Sequence, residues 1–174
     1  MQEYVLRSAV IADLPAILAL LNSAYRGERS QQGWTTEAHL IDGEVRTNLT
    51  QLQTVFQQSG STFMVVCNSE KEIVGSVNLQ QKATKLYLGM LAVNPLIQNA
   101  GIGKMLLGAA VQLALDLHCT SIYMTVISAR VELIAWYQRH GYVATGERIP
   151  FQEDGISGKH KQALDFVVLE KQIQ

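Results

Sequence analysis

In this 174-residue chain the run Gln98-Asn99-Ala100-Gly101-Ile102-Gly103-Lys104 has the residue types and spacing that suit chemistry most directly. Two glycines let the backbone come close to a ligand, and an apolar helix begins at Ile102, so unpaired N–H groups and the positive end of a helix dipole meet there. That combination suits a phosphate or pyrophosphate. A glycine turn that merely starts a helix would use the same residues, so Gly-x-Gly does not decide alone. A Walker A loop fails, because Gln98 stands where a glycine is required and Met105 where Ser or Thr is. A dinucleotide fingerprint fails too, because Leu106 fills its third glycine position and Gly101 lies well beyond the strand end at Val93.

A second chemical residue is Tyr137, in Trp136-Tyr137-Gln138-Arg139-His140-Gly141-Tyr142. On a helix it shares a face with Arg130, Leu133 and Ile134. It suits either a proton donor or a core tyrosine bonded to a carbonyl. The four histidines, His39, His118, His140 and His160, have no metal-ligand spacing, and no HExxH or Cys/His cluster occurs, so no metal is expected. His140 beside Gly141 complements a helix C-terminus. Cys67 and Cys119 lie in apolar surroundings without CxxC spacing, which fits buried thiols in a reducing, cytoplasmic compartment.

The elements that must hold these residues can be read from periodicity. Residues 3–10 form a strand, and a helix follows with Asp13 as N-cap, Pro15 in its first turn and Ile17, Leu18, Leu20 and Leu21 at helical spacing. Residues 25–43 break into a loop or a pair of short helices. A helix over 45–57 leads to paired strands at 62–68 and 71–80. Lys85 to Val93 is nearly continuously apolar, as in a strand buried on both faces. A long helix over 102–118 joins it to a strand from Ser121 to Ile127, which makes a right-handed βαβ unit. A helix from Val131 to Arg139 ends at Gly141, and strands at 142–149 and 162–170 complete the chain. The fold class is therefore α/β or α+β: one domain over residues 1–174, with a single mixed, mostly antiparallel sheet of six to seven strands flanked by helices.

Composition narrows the function. With 14 Lys+Arg against 15 Asp+Glu there is no electrostatic footprint for nucleic acid, so no nucleic-acid partner is expected. The apolar runs are too short for a membrane span, and residues 1–10 do not read as a secretory signal.

Three linked stretches, LGMLAVNPLIQNAGIGKMLL, SIYMTVI and ELIAWYQRHGYVATGER, carry a more specific signal. Together they resemble the GNAT superfamily of acyl-CoA N-acyltransferases: a strand ending in L-x-V-x-P, a Q/R-x-x-G-x-G/A loop, and a later helix with Tyr ahead of Gly-Phe or Gly-Tyr. The resemblance is strongest over 86–147. It implies two central parallel strands that splay apart, and acetyl-CoA as co-substrate. Backbone amides of Gln98, Asn99, Ala100, Gly101, Ile102, Gly103 and Lys104 would cradle its pyrophosphate, and the edge at Leu91, Ala92 and Val93 would pair with its pantetheine arm. Tyr137 would protonate the departing thiolate. The implied activity is direct acetyl transfer to a primary amine of a small molecule or peptide. A non-catalytic acyl-CoA-binding or regulatory domain, and an acetylase of a protein or tRNA partner, are the alternatives. The resemblance also leaves a homodimer open.

The chain departs from the family pattern at Arg130, where many members carry Asn. A guanidinium there would meet a CoA phosphate or a substrate carboxylate, or face solvent at a helix start. No motif assigns the base that frees the amine lone pair. In the family the segment from Tyr25 to Glu37 walls the acceptor side, which makes Glu37 the expected base, with Glu28 and Glu44 behind it. Arg26 and Arg46 would bind an acidic acceptor or lie solvated, and Trp34 is either part of that wall or surface packing.

Overall fold

The computed structural model describes residues 2–97 and 99–174. Strand β1 (Val5–Ser8) enters helix α1 (Leu14–Tyr25) through a 3₁₀ turn at Ile11–Asp13. Asp13 does stand at the N-cap of α1, but its carboxylate turns back to the Val10 N–H at 2.8 Å and to Arg7 at 2.7 Å. It closes the preceding turn and leaves α1 without a side-chain cap. Pro15 suits the first turn, where an N–H would have no helical partner. The segment expected to be loop or short helices holds α2 (Gly27–Ser30) and then a short strand, β2 (Ile41–Asp42). The next helix is shorter than periodicity suggests, α3 (Leu49–Gln57), because the Asn48 side chain accepts the Gln51 N–H at 2.9 Å and fixes the start there.

Strands β3 (Ser61–Cys67), β4 (Ile73–Lys82) and β5 (Lys85–Val93) follow as antiparallel neighbours. Helix α4 (Ile102–Asp116) crosses to β6 (Ser121–Ile127), and α5 (Val131–Arg139) leads to β7 (Val143–Pro150), β8 (Lys159–His160) and β9 (Asp165–Gln172). The seven-stranded sheet has the order β1-β3-β4-β5-β6-β9-β7, antiparallel except between β5 and β6. A separate antiparallel pair, β2 with β8, ties Ile41 and Asp42 to His160 and Lys159.

Helices cover both faces of the sheet. On one, Ile102, Leu106, Leu107, Ala110 and Ala114 of α4 bury with Val66, Val77, Leu86 and Ile122. On the other, Leu14, Ile17, Leu20 and Leu21 of α1 and Leu52 of α3 bury with Phe63 and Val65. Each fully buried Leu, Ile, Val or Phe among them contributes about 1.5–3 kcal/mol. Gly75 lets α4 seat on β4, since a Cβ there would lie 2.5 Å from Ile102 Cγ2.

The two parallel strands touch only at one end. Lys85, Leu86 and Tyr87 pair with Ser121, Ile122 and Tyr123, and the pairing stops there. Beyond it β6 stays with β9 through Ile127↔Phe166, whereas β5 stays with β4. Along β5 the partners run from Asn78↔Gly89 to Ser76↔Ala92, so Met90 and Leu91 together oppose Val77, and Met90 takes the left-handed φ of 54°. This bulge bends β5 away from β6. Consequently β5 is not buried on both faces along its length: Leu86, Leu88 and Ala92 are buried, while Tyr87 and residues 89–91 are only half-buried, beside the gap.

Candidate active site

The cleft at the opening of the parallel strands is about 420 Å³ and is lined by Leu91, Ala92 and Val93 of β5, by residues 99–104, and by Arg130 and Tyr137. Gly101 is the N-cap of α4, at the left-handed φ of 79°, with no side-chain cap. Asn99 also takes a positive φ, 68°. The first turn of α4 thus faces the cleft with N–H groups that have neither an intrahelical nor a capping partner. Gln98, expected in this cradle, lies outside the described residues. Leu91, Ala92 and Val93 lie beyond the last β5–β6 pair, which leaves their backbone edge on the β6 side without a strand partner.

Helix α5 forms the opposite wall. A Cβ on Gly103 would come within 3.1 Å of the Trp136 ring, so glycine there allows the indole to close over the start of α4. Trp136 also packs against Trp34, Tyr137 and His140, at ring-centroid distances of 6.1, 5.0 and 4.6 Å. His140 caps α5, as its place beside Gly141 suggests, with Nδ1 2.9 Å from the Trp136 carbonyl oxygen.

Tyr137 is 4% exposed and lines both this cleft and a second cavity of about 220 Å³ between the parted strands. Burial pushes its phenol well above the usual range, with the Arg130 guanidinium pulling the other way. The hydroxyl therefore stays protonated at neutral pH and can donate but not abstract. Arg130 and Leu133 of the expected face accompany it into both cavities, whereas Ile134 packs against the core instead.

The second cavity carries the charged groups Glu37, Arg46 and Arg130. Glu37 is buried, one carboxylate oxygen bonded to Arg26 and the other to Arg130 Nη1 at 3.0 Å. The residue expected to serve as a base thus has both oxygens already occupied by guanidinium groups. Arg130 neither faces solvent nor lies free: Nη2 donates to Thr35 at 2.7 Å, and only Nε is buried without a partner. Arg26 is not solvated either, since it also donates to the Ser157 carbonyl oxygen at 3.1 Å. Burial pulls its guanidinium below the ordinary range, opposed by Glu37. Glu28 and Glu44 line a separate surface hollow and do not reach the parted strands.

The contacts of two residues escape the sequence reading, which has Tyr25 only as one end of the acceptor-side wall. Tyr25, the last residue of α1, donates its hydroxyl to the Leu91 carbonyl and lies under Arg46 and Arg130, 5.4 and 5.7 Å from its ring centre. The Ile17–Leu21–Tyr25 spacing already put it on the core face of α1. Trp136 was visible as the neighbour of Tyr137, but its closeness to Gly103 depends on how two helices meet. Among the described residues no His/Cys/Asp/Glu group could hold a metal ion, and no helix is long and apolar enough to cross a membrane.

A mixed sheet whose central parallel strands part beside an uncapped helix N-terminus defines the acyl-CoA N-acyltransferase fold. The sequence profile of the acetyltransferase (GNAT) domain matches residues 34–160, more than half of the chain. The chain belongs to the GNAT acetyltransferase family and is an acyl-CoA-dependent N-acyltransferase. No curated protein matches the sequence. Among solved structures it is similar to the ribosomal-protein-S18-alanine N-acetyltransferase from Escherichia coli, with 15% identity, a TM-score of 0.73, and 99% of this chain and 95% of that one covered. It is similar to a spermidine N-acetyltransferase chimera from Vibrio cholerae and hSSAT, with 17% identity, a TM-score of 0.68, and coverage of 97% and 95%. It is also similar to yncA from Salmonella typhimurium, solved with its cofactor acetyl-CoA, with 17% identity, a TM-score of 0.69, and coverage of 99% and 95%.

Proposed function

We propose that this enzyme transfers an acetyl group from acetyl-CoA directly to a primary amine of a small molecule or peptide. The observation that carries the reading is Tyr137, which lines both the cleft beside the α4 N-terminus and the cavity between the parted strands. A buried proton donor at that junction serves a group arriving from one side and an acceptor arriving from the other.

The residues present fit acetyl-CoA. The uncapped first turn of α4 offers N–H donors to a pyrophosphate, with Lys104 adding positive charge to the same wall. The edge at Leu91, Ala92 and Val93, which has no strand partner although the Leu91 carbonyl accepts from Tyr25, suits an amide-bearing arm, which would add to β5 as a strand adds to a sheet edge. When bound, acetyl-CoA supplies an activated thioester. The chain holds it by backbone donors, closes Trp136 over the cleft against water, and donates the Tyr137 proton to the leaving sulfur, a general-acid role contributing about 10²–10⁴-fold; the proton shed by the acylated nitrogen then restores the phenol. Glu37 acts as a positioning residue in this reading, because its two arginine bonds fix Arg26 and Arg130 and leave it no free oxygen.

Calorimetric titration of the protein with acetyl-CoA, followed by free-thiol detection on adding amines, tests the proposal. Saturable heat and amine-dependent thiol release are expected. No heat and no thiol release would overturn it, and heat without thiol release from any amine would favour a domain that only binds acyl-CoA.

A further inference from the structure

Resting on the acetyl-transfer reading, a charge imbalance on the acceptor side points to the kind of amine accepted. We propose that the acceptor is a small amine that also carries a carboxylate, its anion held by Arg46 and Arg130.

The charged side chains lining the 220 Å³ cavity are Glu37, Arg46 and Arg130. Glu37 has one oxygen on Arg26 and the other on Arg130. Its single negative charge therefore answers to three guanidinium groups in the cluster. Arg46 makes no ion pair among the described residues and rests over the Tyr25 ring. Arg130 also lines the cavity, and its Nη1 and Nη2 make one bond each, to Glu37 and Thr35, so each NH2 group keeps a second N–H. Charged N–H donors out of bulk water gain most from an anionic acceptor, so a ligand carboxylate is favoured there. Guanidinium groups present planar forks matched to a carboxylate.

The acids nearby cannot serve a cation instead. Glu132 accepts from the Thr35 hydroxyl at 2.8 Å and does not line this cavity, and Glu28 and Glu44 line a different hollow. A polyamine would bring its additional ammonium groups against uncompensated guanidinium charge, and like charges in a partly desolvated site repel strongly. Size agrees as well. At about 220 Å³ the cavity is of small-molecule size and cannot admit a folded segment. Met90, Met124 and Phe166 supply an apolar wall for its skeleton.

The test measures thiol release from acetyl-CoA with matched amines: alanine against alaninamide, β-alanine against β-alaninamide, phenylalanine against phenylalaninamide, and spermidine. At least one acid is expected to exceed its amide in kcat/KM by tenfold or more, with spermidine below both. Arg46→Gln should raise KM for that acid about tenfold without moving the acetyl-CoA dissociation constant, and Arg46→Lys should restore part of the loss. Equal turnover of acids and amides, a preference for spermidine, or acetyl-CoA binding with no turnover of any acid would each overturn this substrate class while leaving the acetyl-CoA site standing. Absence of acetyl-CoA binding would instead remove the acetyl-transfer reading itself.

Discussion

The two cavities that meet at Tyr137 are built in opposite ways. The larger is made of backbone: the first turn of α4, two left-handed loop residues and the unpaired edge of β5. Its side chains mostly close the walls. The smaller is made of side chains brought from α1, from the segment after α2, from both parted strands, from α5 and from β9. A backbone site recognises what is common to every ligand of its kind, whereas a side-chain site distinguishes one ligand from another. The shared co-substrate and the particular acceptor are thus handled by different physical means, with one phenol between them.

Changing the junction should have the largest effect. Tyr137→Phe is expected to lower kcat by about 10²–10⁴-fold while leaving the acetyl-CoA dissociation constant unchanged, as measured by steady-state kinetics beside calorimetry. An unaltered kcat would remove the division of labour between the cavities. Next comes the acceptor side alone. Glu37→Gln leaves Arg26 buried without its counter-charge, and removing one partner of a buried pair costs about 3–5 kcal/mol. Urea denaturation should report that loss, whereas a stability change under 1 kcal/mol would mean the arginines are satisfied by other groups.

The smallest effect belongs to the cofactor side. Gly103→Ala places a methyl 3.1 Å from Trp136, a crowding that calls for a shift of the indole. Alanine is the better helix former by about 0.8–1 kcal/mol, so stability should not fall. A several-fold rise in KM for acetyl-CoA is expected, with KM for the amine unchanged. If both constants move together, the two cavities are coupled through Trp136 rather than separate.

The same contrast explains what could be read in advance. The limits of β5, β6 and α5 follow from local periodicity, and the loop from Asn99 to Lys104 is legible because two glycines and a helix start are close in sequence. The shortened start of α3 was missed because a single Asn48 cap outweighs a weakly amphipathic run. Tyr137 was legible from its helix face, and Arg130 and Leu133 do share it. The surroundings of Glu37 were not, because Arg130 lies 93 residues away from it in the chain.

From the sequence alone came the alternation of elements, the glycine loop ahead of α4 and the helical face of Tyr137, all set by interactions within a few residues of one another. Only the tertiary structure decided that β5 bulges at Met90 and parts from β6, that Tyr25 reaches the Leu91 carbonyl, and that Glu37 is locked between Arg26 and Arg130. Backbone geometry follows from near neighbours in the chain. The charge balance of a buried cavity depends on which distant segments packing brings together, and no local pattern records that.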